Sequence, residues 1–165
     1  MKATHTQTIL LVEDEENDVL FMEMAFEKTG LAQSFQVAED GQEAIDYLSG
    51  KGEFADRTRH PLPALVFLDL KLPRVMGMDV LKWIREQPEM DTMVVIVLTS
   101  SQQKSDIQLA CSLGANSYLV KPSNPFQLTE LVELVKRYWL QLNQPTATLA
   151  ASRLRAVSRA TPAPG

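Results

Sequence analysis

The chain has 165 residues, 45% hydrophobic and 22% charged, with a formal net charge of −5. That size favours one domain plus some excess, and the negative balance removes any general attraction to nucleic acid or an anionic membrane. The single cysteine, Cys111, excludes an internal disulfide and fits a reducing compartment.

Residues Met1 to Thr8 are polar, and the apolar run that follows has four residues, Ile9-Leu10-Leu11-Val12, before Glu13. That is too short for a signal peptide or a membrane span, so a cytoplasmic location is expected. A first strand is predicted over Thr8 to Val12, ending in Glu13 and Asp14. Glu15 to Lys28 reads as a helix with Val19, Met22 and Phe26 on one face, stopping at Gly30. Phe35 to Ala38 alternates and suits an edge strand, and Gly41 to Leu48 is a short helix. Ser49 to Leu62 is polar, contains Gly50, Gly52 and Pro61, and reads as a long loop with a solvated His60.

Ala64 to Leu68 is a continuously apolar strand that runs into Asp69, and Gly77 to Glu86 is a helix carrying Val80, Leu81 and Ile84. Met93 to Leu98 is a strand before Thr99. Ser105 to Leu113 is a helix with Ile107, Ala110, Cys111 and Leu113 on its core face and Gly114 as its stop. Ser117 to Val120 is a strand before Lys121. Pro125 to Leu142 is a long helix with an apolar stripe of Leu128, Leu131, Val132, Val135, Trp139 and Leu142. Phe126, Leu134 and Tyr138 flank the stripe, either as an interface or as the margin of a wide buried face. Residues 143–165, with their Pro, Ala and Arg, read as a flexible tail to a domain spanning 8–142.

Strands alternating with helices argue a parallel sheet covered on both faces, with ligand sites beyond the carboxyl ends of the strands. Glu13, Asp14, Asp69, Thr99 and Lys121 all fall at such ends and would meet on one rim. A carboxylate that closes an apolar strand, as Asp69 does, costs several kcal/mol of desolvation unless a partner compensates it. Magnesium takes one or two protein carboxylates, so Asp14 and Asp69 are candidate ligands, with Glu13 and the Lys71 backbone carbonyl as further oxygens. A carboxylate such as Asp69 can attack a phosphoryl donor and become an acyl phosphate. Lys121 would neutralise a phosphate oxygen and Thr99 would bond another. The acids after the first strand stand where a flavin enzyme would need a phosphate-cradling loop, which argues against that class.

The full set comprises Glu13-Asp14, Asp69-x-x-x-Pro73-x-x-x-Gly77, Thr99-Ser100 and Tyr118-x-x-Lys121-Pro122. In this order the set resembles the receiver domain of two-component response regulators. The resemblance implies a flavodoxin-like (βα)5 fold with strand order 2-1-3-4-5. It also implies Asp69 as phosphoacceptor, Glu13 and Asp14 as magnesium acids, and Thr99 and Tyr118 as a switch pair. Lys121 becomes the phosphate-contacting lysine, Pro73 and Gly77 are structural, and Pro122 follows a peptide that is usually cis. Asn17-Asp18, the 49–62 insertion, Leu70-Lys71-Leu72-Pro73, Leu98-Thr99-Ser100-Ser101 and Lys121-Pro122-Ser123 are similar to stand-alone regulators of phytochrome-type histidine kinases. The implied protein is a phosphoacceptor signalling protein rather than an enzyme. It would be fed by a sensor histidine kinase, form a homodimer, and pass its output through protein contacts rather than DNA.

Overall fold

Ile9–Val12 (β1), Phe35–Ala38 (β2), Leu65–Leu68 (β3), Val94–Thr99 (β4) and Ser117–Val120 (β5) pair as one parallel sheet in the order β2-β1-β3-β4-β5. This is seen in the computed structural model, which describes residues 7–32 and 35–143. The doubly wound, flavodoxin-like topology and the edge position of β2 are as expected from the sequence. Five α-helices follow the strands in turn: Glu16–Lys28 (α1), Gly41–Ser49 (α2), Gly77–Glu86 (α3), Lys104–Ser112 (α4) and Pro125–Val135 (α5).

Alternate side chains of each strand point to opposite faces, which splits the core in two. Leu10, Val12, Val66, Leu68, Val95 and Val97 pack beneath α2, α3 and α4 through Tyr47, Leu48, Val80, Leu81, Ile84 and Ala110. Ile9, Leu11, Leu65, Phe67, Ile96 and Leu98 pack beneath α1 and α5 through Met22, Phe26, Leu128 and Val132. The inner strands β1 and β3 are buried along their whole length, which explains why they read as unbroken apolar runs. Val12 is level with both Ala38 and Leu68, and Leu68 with Val97, so the strands finish on a common rim.

Three details depart from the sequence reading. Cys111 is exposed, because α4 turns Ala110 to the core and leaves its neighbour in solvent. Leu142 is 69% exposed and leaves the apolar stripe. Its helix passes into a π-helical stretch at Lys136–Leu142, and the Asn143 amide donates to the Tyr138 carbonyl five residues back. The wider turn moves the phase of the stripe. His60 is half-buried rather than fully solvated. Its ring stands edge-on to Tyr47 and Phe54, with centroids at 5.8 and 5.1 Å, and its Nδ1 is buried without a partner among the described residues. The expected tail lies outside the described residues, apart from Asn143.

The 49–62 insertion is tied down rather than loose. It contains a 3-10 turn at Gly52–Ala55, and the Tyr47 hydroxyl donates to the Pro61 carbonyl at 2.9 Å. The Arg57 guanidinium donates to the Tyr47 and Leu48 carbonyls, both at 2.7 Å, and to the His60 carbonyl at 3.1 Å. It thereby satisfies the Leu48 carbonyl that the end of α2 would otherwise leave open and joins the Gly50 amide on the Tyr47 carbonyl. Arg57→Ala is expected to lower the unfolding free energy by about 2 kcal/mol, measured by urea titration. Arg57→Lys should recover only part of that loss, because an ammonium lacks the planar fork.

Candidate functional site

The sheet ladder continues one residue past the strands and delivers the site. The Glu13 amide donates to Ala38 at 3.0 Å, the Asp69 amide to Val12 at 3.1 Å, and the Lys121 amide to Thr99 at 2.8 Å. Each side chain is therefore fixed at its root by regular backbone pairing. Glu13 is 2% exposed and Asp69 7% exposed, whereas Asp14 is open to solvent. One carboxylate oxygen from each of Glu13, Asp14 and Asp69 lies within 4.8 Å of the others. Three converging carboxylates, two of them withdrawn from water, suit a hard divalent cation approaching from the Asp14 side.

Lys121 closes the opposite side of this group. Its ammonium lies 2.5 Å from Glu13 Oε2, 2.7 Å from Asp18 Oδ2 and 2.9 Å from Asp69 Oδ2. Burial works against this ammonium, but the hydrogen bonds to Asp18, Glu13 and Asp69 outweigh it and hold its pKa above the usual lysine range. The Glu13 pKa also rises, which for a carboxyl disfavours the charged form: burial pushes it up to about 6, against the pull of Lys121 and with some help from the Asp69 charge. Asp18, in the first turn of α1, enters the sequence reading only through the Asn17-Asp18 pair of the subfamily resemblance and has no place in the pocket there. The signal that could have placed it there is its position four residues beyond Asp14 on a helix that begins at the same rim.

The backbone around Asp69 is shaped by its surroundings. Asp69 Oδ1 accepts from the Leu70 amide at 2.6 Å and, at a longer 3.4 Å, from the Lys71 amide. The Gly77 amide donates to the Leu70 carbonyl at 3.0 Å. A Cβ at Gly77 would sit 2.0 Å from the Asp69 carbonyl oxygen and 2.7 Å from Leu70 Cα, so only glycine lets α3 approach this closely. Between them Pro73 opens a tight turn, in which the Val75 amide donates back to the Pro73 carbonyl at 2.8 Å. Arg74 follows at φ +64° and pairs with Asp40 at 3.1 Å.

A match to the response regulator receiver domain spans residues 9–133. The chain belongs to that family. Receiver domains are signalling modules, and two-component relatives recur among its neighbours. The chain is 38% identical over 136 residues to the probable methanogenesis regulatory protein FilR2 of Methanothrix harundinacea, covering 82% of this chain and 85% of that one. It is 32% identical to response regulator Rcp1 of Synechocystis, covering 88% of this chain and 95% of Rcp1, a protein also solved in a Mn2+-bound form with a TM-score of 0.76. The phosphorylated cyanobacterial phytochrome response regulator RcpA superposes with a TM-score of 0.78 at 31% identity, over 85% of this chain and 98% of RcpA.

Other residues of the receiver pattern sit around the pocket with different degrees of engagement. Thr99 is fully buried, and among the described hydrogen bonds its hydroxyl accepts the Ser101 amide at 3.4 Å rather than reaching Asp69. The Tyr118 hydroxyl donates to the Ser101 carbonyl at 3.0 Å, which ties β5 to the loop after β4. Ser101 in turn donates its hydroxyl to Asp106 in the first turn of α4. The expected cis bond before Pro122 is absent: all described peptide bonds are trans. The two isomers of an X-Pro bond differ by only about 0.5–1 kcal/mol, so the motif alone does not decide between them. Phe126, Leu134 and Tyr138 are 68%, 65% and 56% exposed, so they do not form the margin of a buried face.

The raised Glu13 pKa has a measurable consequence. A carboxyl whose folded pKa lies above its unfolded value stabilises the cation-free fold below that unfolded value, and the contribution is lost as pH rises through about 6. A cation held by Glu13 must displace that proton. Divalent-cation affinity should therefore be flat above pH 7 and fall on acidification through about pH 6, approaching tenfold per pH unit. Calorimetry at pH 6 in two buffers of different ionisation enthalpy should report proton release, which vanishes at pH 8.

Proposed function

We propose that this receiver domain is a single-domain response regulator that accepts a phosphoryl group from a phosphohistidine of a sensor kinase onto Asp69. One observation carries the reading. Asp69 is a buried carboxylate held between two further acids and a lysine whose ammonium lies 2.9 Å from its Oδ2. In the transfer, the phosphorus–nitrogen bond of the donor breaks and a bond forms from phosphorus to an Asp69 carboxylate oxygen. Magnesium, when bound, neutralises charge on the phosphoryl oxygens. Glu13, Asp14, Asp69 and the Lys71 carbonyl are the groups assigned to hold it.

The remaining steps belong to the chain itself. The Leu70 amide fixes Asp69 Oδ1, which presents Oδ2 on the Lys121 side. Lys121 then meets a phosphoryl oxygen with the donor that now serves Asp69. Thr99 turns its hydroxyl to a second oxygen, and the Ser101 amide it now accepts moves with it. Tyr118 is bonded to the Ser101 carbonyl, so a shift of that loop reaches β5 and the start of α4. Phosphorylation thus biases an equilibrium between two arrangements of this surface. The phytochrome-associated relatives support a phytochrome-type kinase as donor, and output would pass to a downstream protein through contacts on the altered face.

With magnesium and acetyl phosphate, the protein is expected to gain about 80 Da, the mass of one phosphoryl group. The adduct should disappear in Asp69→Asn. An unmodified mass under conditions that label a control receiver domain counts against the reading.

The exposed Phe126, Leu134 and Tyr138 on one side of the last helix support a homodimer built on that helix. Light scattering at high micromolar concentration with beryllofluoride should give twice the monomer mass, and Leu134→Glu with Tyr138→Glu should return it to the monomer. A monomer for the unsubstituted protein removes the dimer.

A further inference from the structure

Asp18 stands apart from the Glu13–Asp14–Asp69 group, yet its carboxylate lies 2.7 Å from the Lys121 ammonium. An ammonium has three donors, and here Glu13, Asp18 and Asp69 take them. These partners are not equivalent during phosphoryl transfer. Asp69 loses its charge when it becomes an acyl phosphate, and Glu13 is shared with the cation. Asp18 alone keeps the same charge and the same neighbour throughout.

We infer that Asp18 is a positioning residue that anchors the Lys121 ammonium, so that one of its donors stays aimed at the phosphoryl oxygen on Asp69. The inference rests on the phosphoacceptor reading. Lys121 comes from the edge strand β5 on a flexible four-carbon stem, while Asp18 comes from α1, which packs on the other side of the pocket. The two meet across 103 residues of chain. Without Asp18 the ammonium keeps only Glu13 and Asp69, both members of the cation group, and no partner on α1 holds it in place. Simple charge counting gives the opposite expectation. Removing a carboxylate from an acidic pocket should make an anion bind more tightly, so the sign of the effect separates positioning from bulk electrostatics.

The test is beryllofluoride affinity at saturating magnesium for the unsubstituted protein and Asp18→Asn, repeated with Lys121→Ala in both. Asp18→Asn is expected to weaken binding about tenfold, the loss of one charge-assisted hydrogen bond. In the Lys121→Ala background the same substitution should change nothing, because Asp18 acts through the lysine. Where that background binds too weakly to titrate, the rate of labelling by acetyl phosphate makes the same comparison. Equal or tighter binding by Asp18→Asn overturns the inference, as does an equal loss in both backgrounds, which would mark a purely structural role. If the unsubstituted protein does not bind beryllofluoride, the phosphoacceptor reading falls and this one with it. If it binds and Asp18→Asn binds as well, only the positioning role falls.

Discussion

One ammonium organises this protein. Lys121 faces carboxylates from the end of β1, the start of α1 and the end of β3, and all three lie within 2.9 Å of its nitrogen. Two buried acids at neighbouring strand ends would repel each other and resist desolvation. The lysine makes their approach tolerable, and the acids in turn keep the lysine charged despite its burial. The arrangement is left with a surplus of negative charge on the side where Asp14 opens to solvent. That surplus is unfavourable in isolation and becomes useful when a divalent cation shares it. Glu13 carries the mark of this balance, since its carboxyl is pushed up to about 6 by the burial that the site requires.

The fold serves the pocket through backbone rather than side chains. Parallel pairing runs one residue beyond β1, β3 and β5, so Glu13, Asp69 and Lys121 are rooted by main-chain hydrogen bonds. The loop after β3 is held equally firmly, because α3 begins in contact with the Asp69 carbonyl at the one residue type without a Cβ. The loop after β4 is different. It depends on side-chain links from Ser101 to Asp106 and from Tyr118 to Ser101, which can exchange partners without disturbing the sheet. Rigid placement of the acids and a loosely tied neighbouring loop are what a phosphorylation-triggered change of surface needs.

Much of this was legible in the chain because burial on both faces leaves a simple trace. β1, β3 and β4 read as continuous apolar runs, and a charged or hydroxyl residue directly after each marks the rim. The acids, Thr99 and Lys121 could be assembled into one pocket from that trace plus the strand-end rule for parallel sheets. The strand order and the roles of individual residues came from the family pattern, not from periodicity.

What the sequence could not decide were matters of phase and convergence. Cys111 and Leu142 read as core residues because an ideal helical period was assumed; the actual seat of α4 and the π-helical turn after Val135 rotate them outward. His60 read as solvated because its sequence neighbours are polar, but Tyr47 and Phe54, distant along the chain or across a turn, close around it. Asp18 carries no pocket role in the sequence reading, because its partner Lys121 lies 103 residues away and only the packing of β5 beside α1 brings the two together. The sequence by itself determined which residues end the strands, since local burial dictates local composition. Only the tertiary structure decided which charges share one lysine, because that depends on how separate elements are packed.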